Sequence, residues 1–100
     1  MYDMKNINKL KKYADLTPAG WQGFVAFDKA AMADGAIPAK TKELIALAVA
    51  MTTQCPYCIE IHTKKAKGAG CSEKEIAETV MVAAALRAGA AITHGTHALE

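Results

Sequence analysis

Apolar residues recur along this chain with helical spacing, and nowhere with the two-residue period of a strand. Ile7, Leu10, Tyr13 and Ala14 repeat through residues 4–14 with lysines between them, which predicts a modest amphipathic helix. Thr17-Pro18 supplies an N-cap and a first-turn proline for a second helix. Its Trp21, Phe24, Val25, Phe27, Ala31 and Met32 fall mostly on one face, the pattern of a core or subunit contact rather than a ligand box. Asp34-Gly35 ends that helix, and Ile37-Pro38 keeps the backbone extended before the next start. The third helix is predicted from Ala39 to Thr53, and between Leu44 and Met51 it is apolar all round, so burial on most sides is expected. A fourth runs from Pro56 to Lys67 and stops at Gly68-Ala69-Gly70. Ser72-Glu73-Lys74-Glu75 is a capping box that opens the fifth. There Ile76, Val80, Met81, Ala84 and Ala88 form one stripe, and Gly89 is expected to bend or interrupt the helix near its end. The chain reads as all-α, with about five helices.

One hundred residues make a single domain, 1–100, without room for a second core. A 52% apolar content with only six aromatic residues fits close-packed helices. The net charge of +2 is scattered, without the concentrated basic patch that nucleic-acid binding requires. Residues 1–7 lack the apolar run of a signal peptide. The longest apolar stretch, Leu44 to Met51, falls far short of the roughly 20 residues of a membrane span. No membrane association is expected, and the cytoplasm is the expected location. A chain this short hides only about 60% of its unfolded surface. An all-round apolar third helix therefore predicts a homo-oligomer. Three cysteines, an odd number in a reducing compartment, point to a catalytic or metal-binding pair plus one spare.

The pair is Cys55-Pro56-Tyr57-Cys58, placed where the third helix stops and the fourth starts. Proline suits the first helical position, which puts Cys55 at or next to the N-cap and Cys58 in the first turn. Both sulfurs then face unpaired N–H groups and the positive end of a helix dipole, which favours thiolate. His62 follows Cys58 by four residues, on the same helix face, where an imidazole takes up the thiol proton and returns it to a leaving group. Glu43 precedes Cys55 by twelve residues. In an antiparallel hairpin it lies about 15 Å from the bend, against about 9 Å for His62, and its side chain leans away from the cysteines. A direct Glu43–His62 bond is not expected on that geometry; it calls for a bridging water, a bent third helix or another carboxylate. By analogy with thioredoxin-like sites Cys55 attacks, whereas the His62 spacing favours Cys58. Zinc is the alternative use of Cys55, Cys58 and His62, with a fourth ligand from His94, His97, Cys71 or another subunit. His94 and His97 otherwise read as surface or interface residues, and Cys71 as a small buried side chain.

The order Lys42-Glu43-Leu44, Cys55-x-x-Cys58, His62, Ala66-x-x-x-Gly70 and Ser72-x-x-Glu75-Ile76 resembles the AhpD-like alkylhydroperoxidase family, within the carboxymuconolactone decarboxylase superfamily. The likeness spans roughly residues 16–98. It implies a small all-helical protein, assembled as a trimer or hexamer, that reduces organic hydroperoxides without a cofactor. By position it implies that Cys58 is the peroxidatic thiol and Cys55 the resolving one, with Glu43 and His62 as a proton relay. The implied reductant is a dithiol, a lipoyl-bearing protein or a thioredoxin-like one. Tyr57 stands where the best-known member has a histidine, a departure that argues for lower peroxidase activity. A disulfide reductase or redox sensor of the same family, a carboxymuconolactone decarboxylase-type enzyme that needs no cysteine, and a zinc-stabilised interaction module are the alternatives.

Overall fold

Residues 2–100 are described by a computed structural model. They are all helical or irregular, with five α-helices among the described residues, in two compact units that divide between Ala39 and Lys40.

In the first unit a 3-10 helix, Met4–Lys11, runs directly into α1, Lys12–Leu16. Asp3 caps it by accepting the Lys5 N–H at 2.9 Å. The next helix, α2, is Pro18–Met32 with Thr17 at its N-cap. Thr17 does not cap with its side chain, however: the hydroxyl donates backward to the Tyr13 carbonyl at 3.0 Å. Pro18, at the first helical position, has no N–H of its own, so the first turn has one orphan donor fewer. Trp21 stacks on Tyr13 with centroids 5.6 Å apart and meets Phe24 at 5.7 Å. The aromatic face is nonetheless no core, because Phe24 and Phe27 remain 58% and 72% exposed.

The second unit holds α3 (Ala39–Thr53), α4 (Pro56–Gly68) and α5 (Glu73–His94), followed by a 3-10 turn at Gly95–Ala98. Asp34 marks the entry to α3 by accepting the Ala39 N–H at 2.6 Å. The end of α4 is a Schellman motif. Gly70, at φ 92°, donates to the Lys67 carbonyl at 3.1 Å, and Cys71 donates to Ala66 at 2.9 Å. The apolar contact that accompanies this motif is Ala66 against Cys71, and with Leu47 these form the buried core, flanked by Leu44, Met51 and Ile76. The capping box of α5 is complete: Glu75 N–H donates to Ser72 Oγ at 3.0 Å, and Ser72 N–H to Glu75 Oε1 at 2.8 Å.

Glu75 also meets Lys40 at 3.4 Å, which brings the starts of α3 and α5 together. Farther along, Thr41 shares a cleft with Thr79, and Thr52 shares one with Arg87. The two helices therefore lie side by side and run in the same direction. Gly89 does not interrupt α5, which continues unbroken to His94. A mid-helix glycine costs only about 1 kcal/mol relative to alanine, and its alanine neighbours keep the helix intact. The inward stripe also differs from the one expected: Ile76 and Val80 are half-buried and Ala83 is buried, while Met81 is 66% exposed.

Burial of α3 on most sides is not met within the single chain. Only Leu47 and Ala50 are buried, while Ile45 and Val49 lie exposed beside the exposed Val82 and Leu86 of α5. Residues 73–98 are long and apolar enough to cross a membrane by length and composition, which corrects the expectation that no stretch approaches a span. Counting unbroken apolar runs missed this segment because Arg87 splits it, ending the run from Val80 to Leu86 before Ala88 to Ile92 resume. Arg87, its one Asp, Glu, Lys or Arg residue between Glu78 and Glu100, would cost about 3 kcal/mol near a bilayer centre.

Candidate active site

One residue closes α3 and opens α4. The Cys55 N–H donates to the Ala50 carbonyl at 3.1 Å, after Gln54 turns the chain through the left-handed region at φ 57°. Cys55 is then the N-cap of α4, extended at φ −100° and ψ 98°, with Pro56 in the first turn. Its sulfur accepts the Cys58 N–H at 3.3 Å, the role a serine or aspartate oxygen usually takes. Both cysteines are half-buried free thiols.

This arrangement separates the two sulfurs electrostatically. The Cys58 thiol donates to the Cys55 sulfur, and together with the Cys58 N–H it holds Cys55 below the ordinary thiol value. The same side-chain hydrogen bond, then burial, then the charge on Cys55, push Cys58 up to about 11. Of the pair, Cys55 is therefore the readier to ionise and Cys58 the one that holds its proton.

His62 Nδ1 lies 2.7 Å from Glu43 Oε2, with both side chains largely withdrawn from solvent. The expectation that no direct bond would form is thus corrected. The difference between the two residues' distances from the bend is about one helical turn, roughly 6 Å, which two long side chains reaching toward each other span. An ionised carboxylate only accepts, so Nδ1 carries the proton and Nε2 is left as the basic nitrogen. His62 remains one turn beyond Cys58 on α4.

The other candidates lie apart. Cys71 is buried in the core, its thiol directed to the Lys40 carbonyl at 3.7 Å. His94 and His97 contact each other edge to face at 4.9 Å between centroids. Among the described residues no three His, Cys, Asp or Glu side chains come together as a metal site, so the zinc alternative has no ligand set there. Motif spacing did not single out Gln54, the residue before Cys55, or Arg87, and the two line a common cleft of about 180 Å³. The left-handed turn at Gln54 has no sequence signal, since glycine or asparagine is the usual occupant.

Residues 18–100 match the family model for the carboxymuconolactone decarboxylase family. Among curated relatives, a protein of the cox locus of Paracoccus denitrificans is 51% identical over 76 residues, 76% of this chain and 68% of its own length. A Haemophilus influenzae protein is 48% identical over 83 residues, 83% of this chain and 74% of its own. Among solved structures, a carboxymuconolactone decarboxylase family protein from Legionella pneumophila superposes with a TM-score of 0.77 at 36% identity, covering 80% of this chain and 71% of that one. A Methanobacterium thermoautotrophicum protein gives 0.82 at 30% identity, over 88% and 99%. With a family match across most of its length and close relatives on the same helical fold, the chain belongs to the carboxymuconolactone decarboxylase family.

Proposed function

We propose that this protein is a thiol peroxidase that reduces organic hydroperoxides through Cys55 and Cys58, with His62 and Glu43 as its proton relay. The observation that carries the reading is the 2.7 Å contact between His62 Nδ1 and Glu43, which leaves a base on the helix of Cys58. A thiol held at about 11 is ionised to only about one part in 10⁴ at neutral pH, so attack by Cys58 requires such a base. His62 takes the Cys58 proton as the sulfur attacks the terminal peroxide oxygen. The O–O bond breaks, the departing alkoxide receives that proton and leaves as an alcohol, and Cys58 is left as a sulfenic acid. The Cys55 thiolate then attacks the Cys58 sulfur. A disulfide forms, and hydroxide leaves with a proton as water. An external dithiol, lipoyl-bearing or thioredoxin-like, reduces the disulfide by exchange and is itself oxidised.

The reading places the protein in the cytoplasm as a homo-oligomer, a trimer or hexamer, with Ile45, Val49, Val82 and Leu86 covered by neighbouring copies. It treats residues 1–100 as one functional domain. A second reading, a protein disulfide reductase, is favoured by the lowered Cys55 thiol, which ionises more readily than Cys58 and so is the natural attacker of a disulfide. Cumene hydroperoxide with dihydrolipoamide as reductant separates the two. The peroxidase reading expects one alcohol formed per dithiol oxidised. Reduction of a model protein disulfide without peroxide consumption would replace it with the second.

A further inference from the structure

Arg87 is the chain's one arginine, and it stands in an apolar setting on α5. The residues three and four places before and after it, Ala83, Ala84, Ala90 and Ala91, are all alanine, so its own helix offers no carboxylate at pairing distance. No hydrogen bond or ion pair to its guanidinium exists among the described residues. It borders the cleft of about 180 Å³ together with Met51, Val80 and Ala84, and that cleft reaches Gln54, whose left-handed turn delivers Cys55 to the N-cap of α4. An unpaired guanidinium at the edge of a largely apolar recess that reaches the residue before Cys55 matches one kind of ligand. That ligand has an apolar body and a carboxylate that the planar fork of donors can grip with two bonds.

We infer that Arg87 is a specificity-determining residue that binds the carboxylate of an apolar, acid-bearing organic hydroperoxide lying in the Met51–Val80–Ala84 cleft. This rests on the peroxidase reading for the reaction, but not for the binding. The chemistry at sulfur is unchanged: the peroxide is reduced to the alcohol as described above, and the carboxylate stays intact. Arg87 fixes where the substrate lies and takes no part in bond breaking. Its effect therefore falls on KM for charged substrates and leaves the reduction of neutral ones alone.

The test uses two substrates that differ by one charge: cumene hydroperoxide and the same molecule bearing a para-carboxylate. With the full-length protein, wild type is expected to favour the carboxylated peroxide in kcat/KM. Arg87→Gln should raise its KM about 10-fold while changing cumene hydroperoxide by less than 2-fold, and Arg87→Lys should recover part of the loss. Binding is read separately with 4-isopropylbenzoate, the carboxylate without the peroxide, titrated against backbone amide shifts. Gln54 and Arg87 should move in wild type and stay still in Arg87→Gln. If neither peroxide is consumed but the titration behaves as expected, the peroxidase reading fails and the carboxylate site stands. Equal binding of the carboxylate by both proteins, or equal loss of both peroxides in Arg87→Gln, overturns the site. A changed molecular mass of Arg87→Gln by light scattering also overturns it, by making Arg87 a contact between copies.

Discussion

Replacing Cys55 by serine tests what holds the Cys58 proton in place. Serine keeps an oxygen at the N-cap of α4 to accept the Cys58 N–H, so the helix start should survive. What disappears is a neighbour able to carry negative charge. The Cys55 sulfur supplies the largest cause of the raised Cys58 value, through the side-chain hydrogen bond, and also the charge repulsion. Without them only burial still lifts Cys58, and its ionisation should fall from about 11 toward the ordinary thiol value of 9.0. Because an acid with a raised value ionises only above it, the fall enlarges the thiolate fraction throughout the neutral range, by at most about 100-fold for two units. Nucleophilicity drops with basicity, with a Brønsted slope of about 0.4–0.5 in thiol exchange, and that removes roughly tenfold of the gain. The net acceleration of the first step at pH 7 should be about 3- to 10-fold.

Ultraviolet thiolate absorbance measures the ionisation directly, with the Cys55→Ser, Cys58→Ser double variant as the blank. Stopped-flow peroxide consumption under single-turnover conditions gives the rate. Ionisation of Cys58 that stays at about 11 in Cys55→Ser would refute the reasoning, since burial rather than the neighbouring sulfur would then be the cause.

The relay gives two further expectations. His62→Ala should slow sulfenic acid formation by about 10²-fold or more at pH 7, with partial recovery as the pH is raised toward the Cys58 value; a flat pH dependence of the ratio would remove His62 from the step. Glu43→Gln should cost about 10- to 100-fold, because the carboxylate that fixes the histidine tautomer at 2.7 Å is replaced by an amide able to present its N–H₂ instead. An unchanged rate and pH profile would make that contact purely structural. Leu86→Glu should lower the molecular mass seen by light scattering at micromolar concentration, and a wild-type monomer would contradict the assembly outright. Ser72→Ala should cost about 1 kcal/mol of stability, seen as a lower thermal midpoint, because it breaks one half of the capping box while Glu75 keeps the other.

Local chemistry made the helices legible in the sequence. Thr17-Pro18, Cys55-Pro56 and Ser72-Glu75 are start signals written in one or two side chains, and the Gly68-Ala69-Gly70 stop ends in Gly70, which takes the left-handed φ of 92°. The spacing of Cys55, Cys58 and His62 was equally readable, since all three lie on one helix or its cap. What escaped depended on two helices at once. The Glu43–His62 contact turns on the stagger between α3 and α4, which no single-helix periodicity encodes. The inward face of α5 is set by its neighbour α3, so small Ala83 rather than large Met81 is buried. Gln54 takes up a left-handed turn because the chain must reverse there, not because its side chain prefers it.

The central claim, that Cys58 attacks the peroxide and Cys55 resolves it, is tested most directly by finding which sulfur carries the first oxidation. Wild type, Cys55→Ser and Cys58→Ser are each treated with one equivalent of cumene hydroperoxide, with a sulfenic acid trap present, and mapped by mass spectrometry. A Cys55–Cys58 disulfide is expected in wild type with Cys71 still reduced, a trapped sulfenic acid on Cys58 in Cys55→Ser, and no rapid reaction in Cys58→Ser. Sulfenic acid on Cys55 in Cys58→Ser, formed at the wild-type rate, would contradict it and make the low-lying Cys55 thiolate the attacking group.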